Sequence, residues 1–169
     1  MPITKEAIKA RAKKFRSRIK FRSAIDLDIM QLVNIAVEYA DEAIQWKEIT
    51  LDVDKLVQCI IFSMKDKDQR IFIATKKGKI IGVIWAALTG FVWSSNCICQ
   101  DLFLYVDKKH RGFSVAVGLV KMMEAWAKAC GAKIIHTGTN SGIFKDRPAS
   151  ALYEGLEYEA GGFNFYKVL

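Results

Sequence analysis

Hydrophobic and polar positions change period several times along this chain, and each change marks an element. Ile29, Leu32, Val33, Ile35 and Ala36 fall near helical spacing behind Asp26, which predicts a capped helix through about Ala40. Asp52 to Met64 reads as a second helix after a mixed loop, Asp41 to Thr50. The pattern then becomes strand-like. Arg70 to Thr75 and Ile80 to Leu88 flank Lys76-Lys77-Gly78-Lys79, a hairpin with a glycine-containing turn. Cys97 to Val106 continues as a strand. A long helix follows, with Ser114 as its predicted cap and Gly131 as the residue just past its end. Lys133 to Thr139 is a strand, Pro148 opens a short helix to about Leu156, and Phe163 to Val168 is a final strand. Arg18 to Ala24 adds a short first strand, and residues 4 to 15 are compatible with helix. This order predicts an α/β (α+β) fold with a mixed sheet flanked by helices.

Charge divides the chain unevenly. Residues 1 to 22 hold nine basic residues against Glu6, while the rest is neutral, so the whole net charge of +8 sits at the N-terminus. The reading is a basic arm or helix over residues 1–19 and one domain over 20–169. Such an arm suits nucleic acid, an acidic protein or an anionic surface; the plain alternative is a solvated helix. A length of 169 residues with 51% hydrophobic content supports one well-buried core. No apolar run approaches the ~20 residues of a membrane span, and the charged N-terminus lacks a signal-peptide core. Cys59, Cys97, Cys99 and Cys130 form no C-x-x-C pair, and with two histidines the chain offers no zinc pattern. Free thiols and a cytoplasmic location are expected, with no metal.

The segment Val106 to Ala116 carries the first chemical signal. It joins a strand to a helix N-terminus through His110-Arg111-Gly112, and a helix N-terminus presents unpaired N–H groups and a positive dipole end to an anion. Within the preceding strand, strict alternation places Asp101, Phe103 and Tyr105 on one face and Leu102, Leu104 and Val106 on the other. Asp101 is its only acid. It reads as a general base if burial raises its pKa, or otherwise as a strand-edge charge or substrate anchor. Glu42 and Glu48 are rival bases in sequence terms.

Two motifs in order resemble the GNAT superfamily of N-acetyltransferases. The family's pyrophosphate motif, Arg/Gln-x-x-Gly-x-Gly/Ala, is met by Arg111, Gly112, Phe113, Ser114, Val115 and Ala116, with Ser114 where the family usually has glycine. Its later motif is met by Asn140, Ala149, Leu152, Tyr153, Glu154, Leu156 and Tyr158, with Glu157 in place of a glycine. The resemblance covers roughly residues 20 to 169 and implies a mostly antiparallel sheet that splays after its fourth strand. It implies acetyl-CoA as cosubstrate, with pyrophosphate on residues 111–116 and pantetheine along the strand backbone at Leu104 and Val106. Asn140 then contacts pantetheine or substrate, or else caps the next segment. Tyr153 becomes the proton donor to the departing thiolate, or else a helix tyrosine packed on the sheet. The implied function is acetyl transfer to an amine, small or macromolecular, by direct attack in a ternary complex. The alternative is a non-catalytic module of the same fold whose basic arm binds nucleic acid or a protein. Trp46 and Trp93 fall near loops that the resemblance sets beside the acceptor pocket, and Trp85 and Trp126 read as core. Phe91-Val92-Trp93 and the final strand offer a homodimer surface.

Overall fold

The period-two stretches pair into one sheet, and the helical stretches cover its two faces. The computed structural model describes residues 19–43, 47–138, 147–162 and 167. The strands are β1 (Lys20–Ser23), β2 (Gln69–Lys76), β3 (Lys79–Phe91), β4 (Ser94–Val106) and β5 (Ile134–His136). They lie in the order β1-β2-β3-β4-β5; the first three pairings are antiparallel and β4 runs parallel to β5. The mixed, mostly antiparallel sheet expected from the sequence is present. Lys77 and Gly78 both take positive φ, 51° and 78°, as a primed two-residue hairpin turn between β2 and β3 requires.

One face of the sheet is covered by α1 (Ile29–Glu42) and α2 (Val53–Lys65). Leu32, Val33 and Ile60 pack there on Ile71, Val83 and Tyr105. The other face carries α3 (Phe113–Ala129) and α4 (Arg147–Glu154), with Val115, Leu119 and Met123 against Phe72, Ile81 and Ile84. Fully burying such a side chain contributes about 1.5–3 kcal/mol, so these two clusters hold the helices to the sheet. Gly118 lets α3 press on β1: a Cβ there would stand 2.3 Å from the Phe21 ring.

Several boundaries differ from expectation for local reasons. The carboxylate at the start of α1 is Asp28, not Asp26. Asp28 is buried, accepts the Ile25 N–H at 2.8 Å, and takes both Arg22 guanidinium nitrogens at 2.5 and 2.8 Å. The Arg22 hydrogen bonds hold its carboxyl below the ordinary range. Asp26 instead opens a 3-10 turn, Asp26–Asp28. At α3 the helix begins at Phe113, so Gly112 occupies the cap position and Ser114 lies inside the first turn. Gly131 does terminate α3, at φ 79°. The stretch left between the expected strands Ile80–Leu88 and Cys97–Val106 is a tight hairpin, because β3 runs to Phe91 and β4 starts at Ser94. Trp93 therefore sits at a hairpin tip, 81% exposed and stacked on Phe91, and does not line the cavity between α1, α2 and the sheet. Asn140, Trp46, the basic residues 1–18 and nearly all of the predicted final strand lie outside the described residues. All four cysteines are free thiols. Among the described residues no helix is long and apolar enough to cross a membrane.

Candidate active site

β5 pairs with β4 only at Ile98, Cys99 and Gln100, opposite Ile134, Ile135 and His136. Past Gln100, β4 continues to Val106 without a partner strand on that edge among the described residues. The two strands thus part, as the sequence resemblance implied. Which main-chain groups face the opening follows from the ladder. Asp107 N–H bonds to Ile81 O at 3.0 Å, and bonding pairs in an antiparallel ladder alternate. Phe103 and Tyr105 therefore bond toward β3, and Leu104 and Val106 turn their N–H and C=O groups to the open edge. The Val106 carbonyl there accepts from Arg111 Nε at 2.9 Å.

The strand face assigned to Asp101 needs correction. Phe103 pairs with Trp85 and Asp101 with Ala86, so Leu102 is an extra residue in a β-bulge. Strict alternation fails there. Leu102, Phe103 and Tyr105 belong to the α1/α2 side, while Asp101 turns to the α3/α4 side with Leu104 and Val106. That shift brings Asp101 to Tyr153 of α4: the tyrosine hydroxyl donates to Asp101 Oδ2 at 3.3 Å. Burial pushes the Asp101 carboxyl up to about 6, against the opposing pull of hydrogen bonds from Tyr153 and the Gly138 N–H and of the His136 charge. Burial, and then the Asp101 charge, raises the Tyr153 phenol well above its ordinary value; a hydrogen bond with Thr137 works the other way. Tyr153 is 8% exposed. The pair therefore sits where β4 and β5 separate, a carboxyl raised to about 6 beside a phenol that stays protonated at neutral pH.

Tyr158 packs on Tyr153, ring centroids 5.3 Å apart. It is placed by the way α4 ends. Tyr158 N–H bonds to Tyr153 O and Glu157 N–H to Glu154 O, with Glu157 at φ 66°. This is a Schellman ending with glutamate where glycine is usual. The end of α3 uses the same pattern with Gly131, through Ala132 N–H to Ala127 O and Gly131 N–H to Lys128 O.

The turn before α3 fits a pyrophosphate. Gly112 has φ 157°, a conformation that favours glycine, and the N–H groups of the first helical turn (Phe113, Ser114, Val115 and Ala116) begin the helix without intrahelical acceptors for the earliest of them. Ser114 has no positive φ, so its side chain is accommodated inside the turn. Val115 is fully buried and anchors the turn against Gly82. Arg111 is committed elsewhere: its guanidinium meets Glu42 Oε2 at 2.6 Å and stands 5.4 Å over the Tyr105 ring. Glu42 also accepts the Tyr105 hydroxyl at 2.5 Å and lies 3.6 Å from Lys108. Burial works to raise Glu42, but these hydrogen bonds and positive charges outweigh it and hold the carboxyl below its ordinary range. Glu42 thus clamps α1 to the turn. Nothing in the sequence paired Glu42 with Arg111, because the contact joins residues far apart in the chain.

On the opposite face a cavity of about 590 Å³ opens between α1, the segment leading into α2, and the sheet. Tyr39, Leu56, Trp85, Leu102 and Phe103 form much of its wall. Ile49 and Thr50, from the loop expected to border an acceptor, line it. Trp85, expected in the core, is half-buried: it packs on the α1/α2-side cluster and also forms part of the cavity wall. The bulge at Leu102 makes this cavity and the Asp101–Tyr153 pair neighbours across one strand.

The chain matches the acetyltransferase (GNAT) family model over residues 30–158. A comparison with curated proteins gave no match. Among solved structures it is similar to a transcriptional regulator from Bacillus halodurans C-125, at 21% identity and a TM-score of 0.72, over 89% of this chain and 99% of that one. It is similar to the aminoglycoside acetyltransferase meta-AAC0020 from an uncultured soil metagenomic sample, solved with sisomicin, at 14% identity and TM-score 0.71, over 92% and 99%. It also resembles AAC(6')-Iy, solved with the bisubstrate analog CoA-S-monomethyl-acetylneamine, at 15% identity and TM-score 0.72, over 89% and 98%. These likenesses concern the fold. The family match spans most of the sheet, both motifs and the Asp101–Tyr153 pair, and on it the chain belongs to the acetyltransferase (GNAT) family.

Proposed function

We propose that this protein moves an acetyl group from acetyl-CoA to an amine by direct attack, and that residues 20–169 carry the reaction. The observation that carries the reading is the Asp101–Tyr153 pair at the parting of β4 and β5. The first turn of α3 would hold the pyrophosphate through main-chain N–H groups, and the open edge at Leu104 and Val106 would hold the pantetheine amides. When bound, acetyl-CoA supplies an activated acyl carbon. An ammonium acceptor first gives one proton to water and becomes nucleophilic. As its nitrogen forms the C–N bond and the C–S bond breaks, Asp101 takes the second amine proton. Tyr153 gives its hydroxyl proton to the sulfur and recovers one from Asp101 along their hydrogen bond. Each proton is accounted for, and both side chains end as they began. A carboxylate near 6 suits the first task better than an unperturbed one, and a phenol kept neutral suits the second.

Thermal unfolding with acetyl-CoA, CoA and ATP tests this. Ligand at ~100 times its Kd adds about 2.7 kcal/mol, a rise of roughly 5–11 °C for a domain of this size. A rise with both CoA species and none with ATP is expected. No rise at millimolar acetyl-CoA would overturn the transferase reading and favour a binding module that works through its basic N-terminus.

A further inference from the structure

The cavity on the α1/α2 face has a chemistry that selects its occupant. Resting on the transfer reading above, we propose that it takes a primary amine carried on an apolar, ring-bearing body, and that this amine is the acyl acceptor. Its size, about 590 Å³, is that of a small-molecule site. Tyr39 and Phe103 meet edge to face with centroids 4.5 Å apart, and Leu56 and Leu102 add aliphatic wall. Trp85 spends its Nε1–H on Gln69 Oε1 at 3.2 Å, so what it offers the cavity is ring surface. Such walls stack on a ring and repel hydrated groups.

The charged lining points the same way. Among the described residues, Asp52 and Lys55 are the carboxylate and the ammonium that line the cavity, and they balance. The Asp52 carboxylate is already engaged as the α2 cap, accepting Lys55 N–H at 2.9 Å. A polycation would bury several ammonium groups here without carboxylates to meet them, and unpaired buried charge is costly. A single amine escapes this: Leu102 and Phe103 of β4 line the cavity, and Asp101, which turns to the other face, immediately precedes them in the strand. The ring stays in the cavity while the nitrogen reaches the open edge of β4. There the C–N bond forms, the C–S bond breaks, the amine proton goes to Asp101 and the sulfur receives the Tyr153 proton.

Calorimetric titration of the full chain with tryptamine, 2-phenylethylamine and neamine, alongside acetyl-CoA, tests the assignment, with product mass read in parallel. Tryptamine and 2-phenylethylamine should bind and be acetylated with kcat/KM about 100-fold or more above neamine. Ala36→Trp fills the cavity from α1 and Cys59→Trp from α2; each should weaken tryptamine binding about tenfold or more while acetyl-CoA binding stays. Thermal melts show which variants fold, and either suffices. Preference for neamine, or tryptamine binding unchanged in a folded filling variant, overturns the inference and leaves the transferase reading intact. Tryptamine binding that the variants abolish, in a protein that ignores acetyl-CoA, supports the cavity assignment and sinks the transferase reading instead.

Discussion

Tyr153→Phe removes one hydroxyl and leaves the ring that packs on Tyr158. The consequence of most interest falls on Asp101. That carboxyl is lifted to about 6 by burial and restrained by hydrogen bonds, one of them from Tyr153. A hydrogen bond to a charged group contributes about 1.5–3 kcal/mol, and one pKa unit is about 1.4 kcal/mol. At 3.3 Å the Tyr153–Asp101 bond is long for an O–H donor, so the lower end applies. Asp101 should therefore titrate about one unit higher in the variant. The acidic limb of the kcat/KM profile should move up with it, and kcat should fall about 10²–10⁴-fold with the loss of the proton donor. Carboxyl carbon NMR reads the titration directly. Stability supplies a second readout. A carboxyl raised by folding contributes stability that is complete below its ordinary value and lost as pH rises through its folded value. The variant should therefore lose more stability than the parent between pH 4 and pH 8. An unmoved limb with reduced kcat would separate Asp101 from Tyr153 and refute the shared proton path. An unchanged kcat would remove Tyr153 from the chemistry.

Three further outcomes are expected. Ala116→Glu places a negative charge in the first turn of α3; the fold should hold, since a helix N-terminus favours an acid, while acetyl-CoA affinity by calorimetry falls about tenfold or more through repulsion at the pyrophosphate. Glu42→Gln leaves Arg111 without its carboxylate and should cost about 1–2 kcal/mol, a Tm lower by roughly 2–8 °C. Because Glu42 is held below its ordinary range, its stabilisation is present at neutral pH and lost as pH falls through the folded pKa, so the stability gap to the parent should close in acid. Glu157→Gly relieves a left-handed backbone that costs about 1–2 kcal/mol for a side-chain-bearing residue and adds about 0.5–1 kcal/mol of chain entropy to lose; the Tm should rise by a few degrees, and a fall would show that the Glu157 side chain itself stabilises the turn.

The legible and illegible parts of this molecule differ by the range of the interactions that set them. Periodicity placed the five described strands, both helices on the α1/α2 face and the end of α3, because those features are written in adjacent residues such as Lys77-Gly78 and Gly131. The turn before α3 that we propose for pyrophosphate was legible for the same reason, although its distinctive backbone position is Gly112 and Ser114 is an ordinary helical residue. Tyr153 was legible from motif order and Asp101 as the only acid of its strand, but not their meeting. Alternation put Asp101 on the wrong face, because a bulge is decided by how β3 and β4 match in length, and no residue in the strand announces it. The bulge has a functional reading of its own. By turning Leu102 toward the cavity and Asp101 toward Tyr153, it gives one strand two chemically different faces at adjacent residues, an apolar wall and a carboxylate. A regular strand would have put Asp101 on the side of Phe103 and Tyr105, away from Tyr153. Glu157 makes the converse point. The sequence departs from the family pattern there, yet the backbone keeps the left-handed turn, because the two Schellman hydrogen bonds and the packing of Tyr158 on Tyr153 together outweigh the strain of one glutamate. The turn carries Tyr158 onto the Tyr153 ring, and it does so with a residue that its own conformation disfavours.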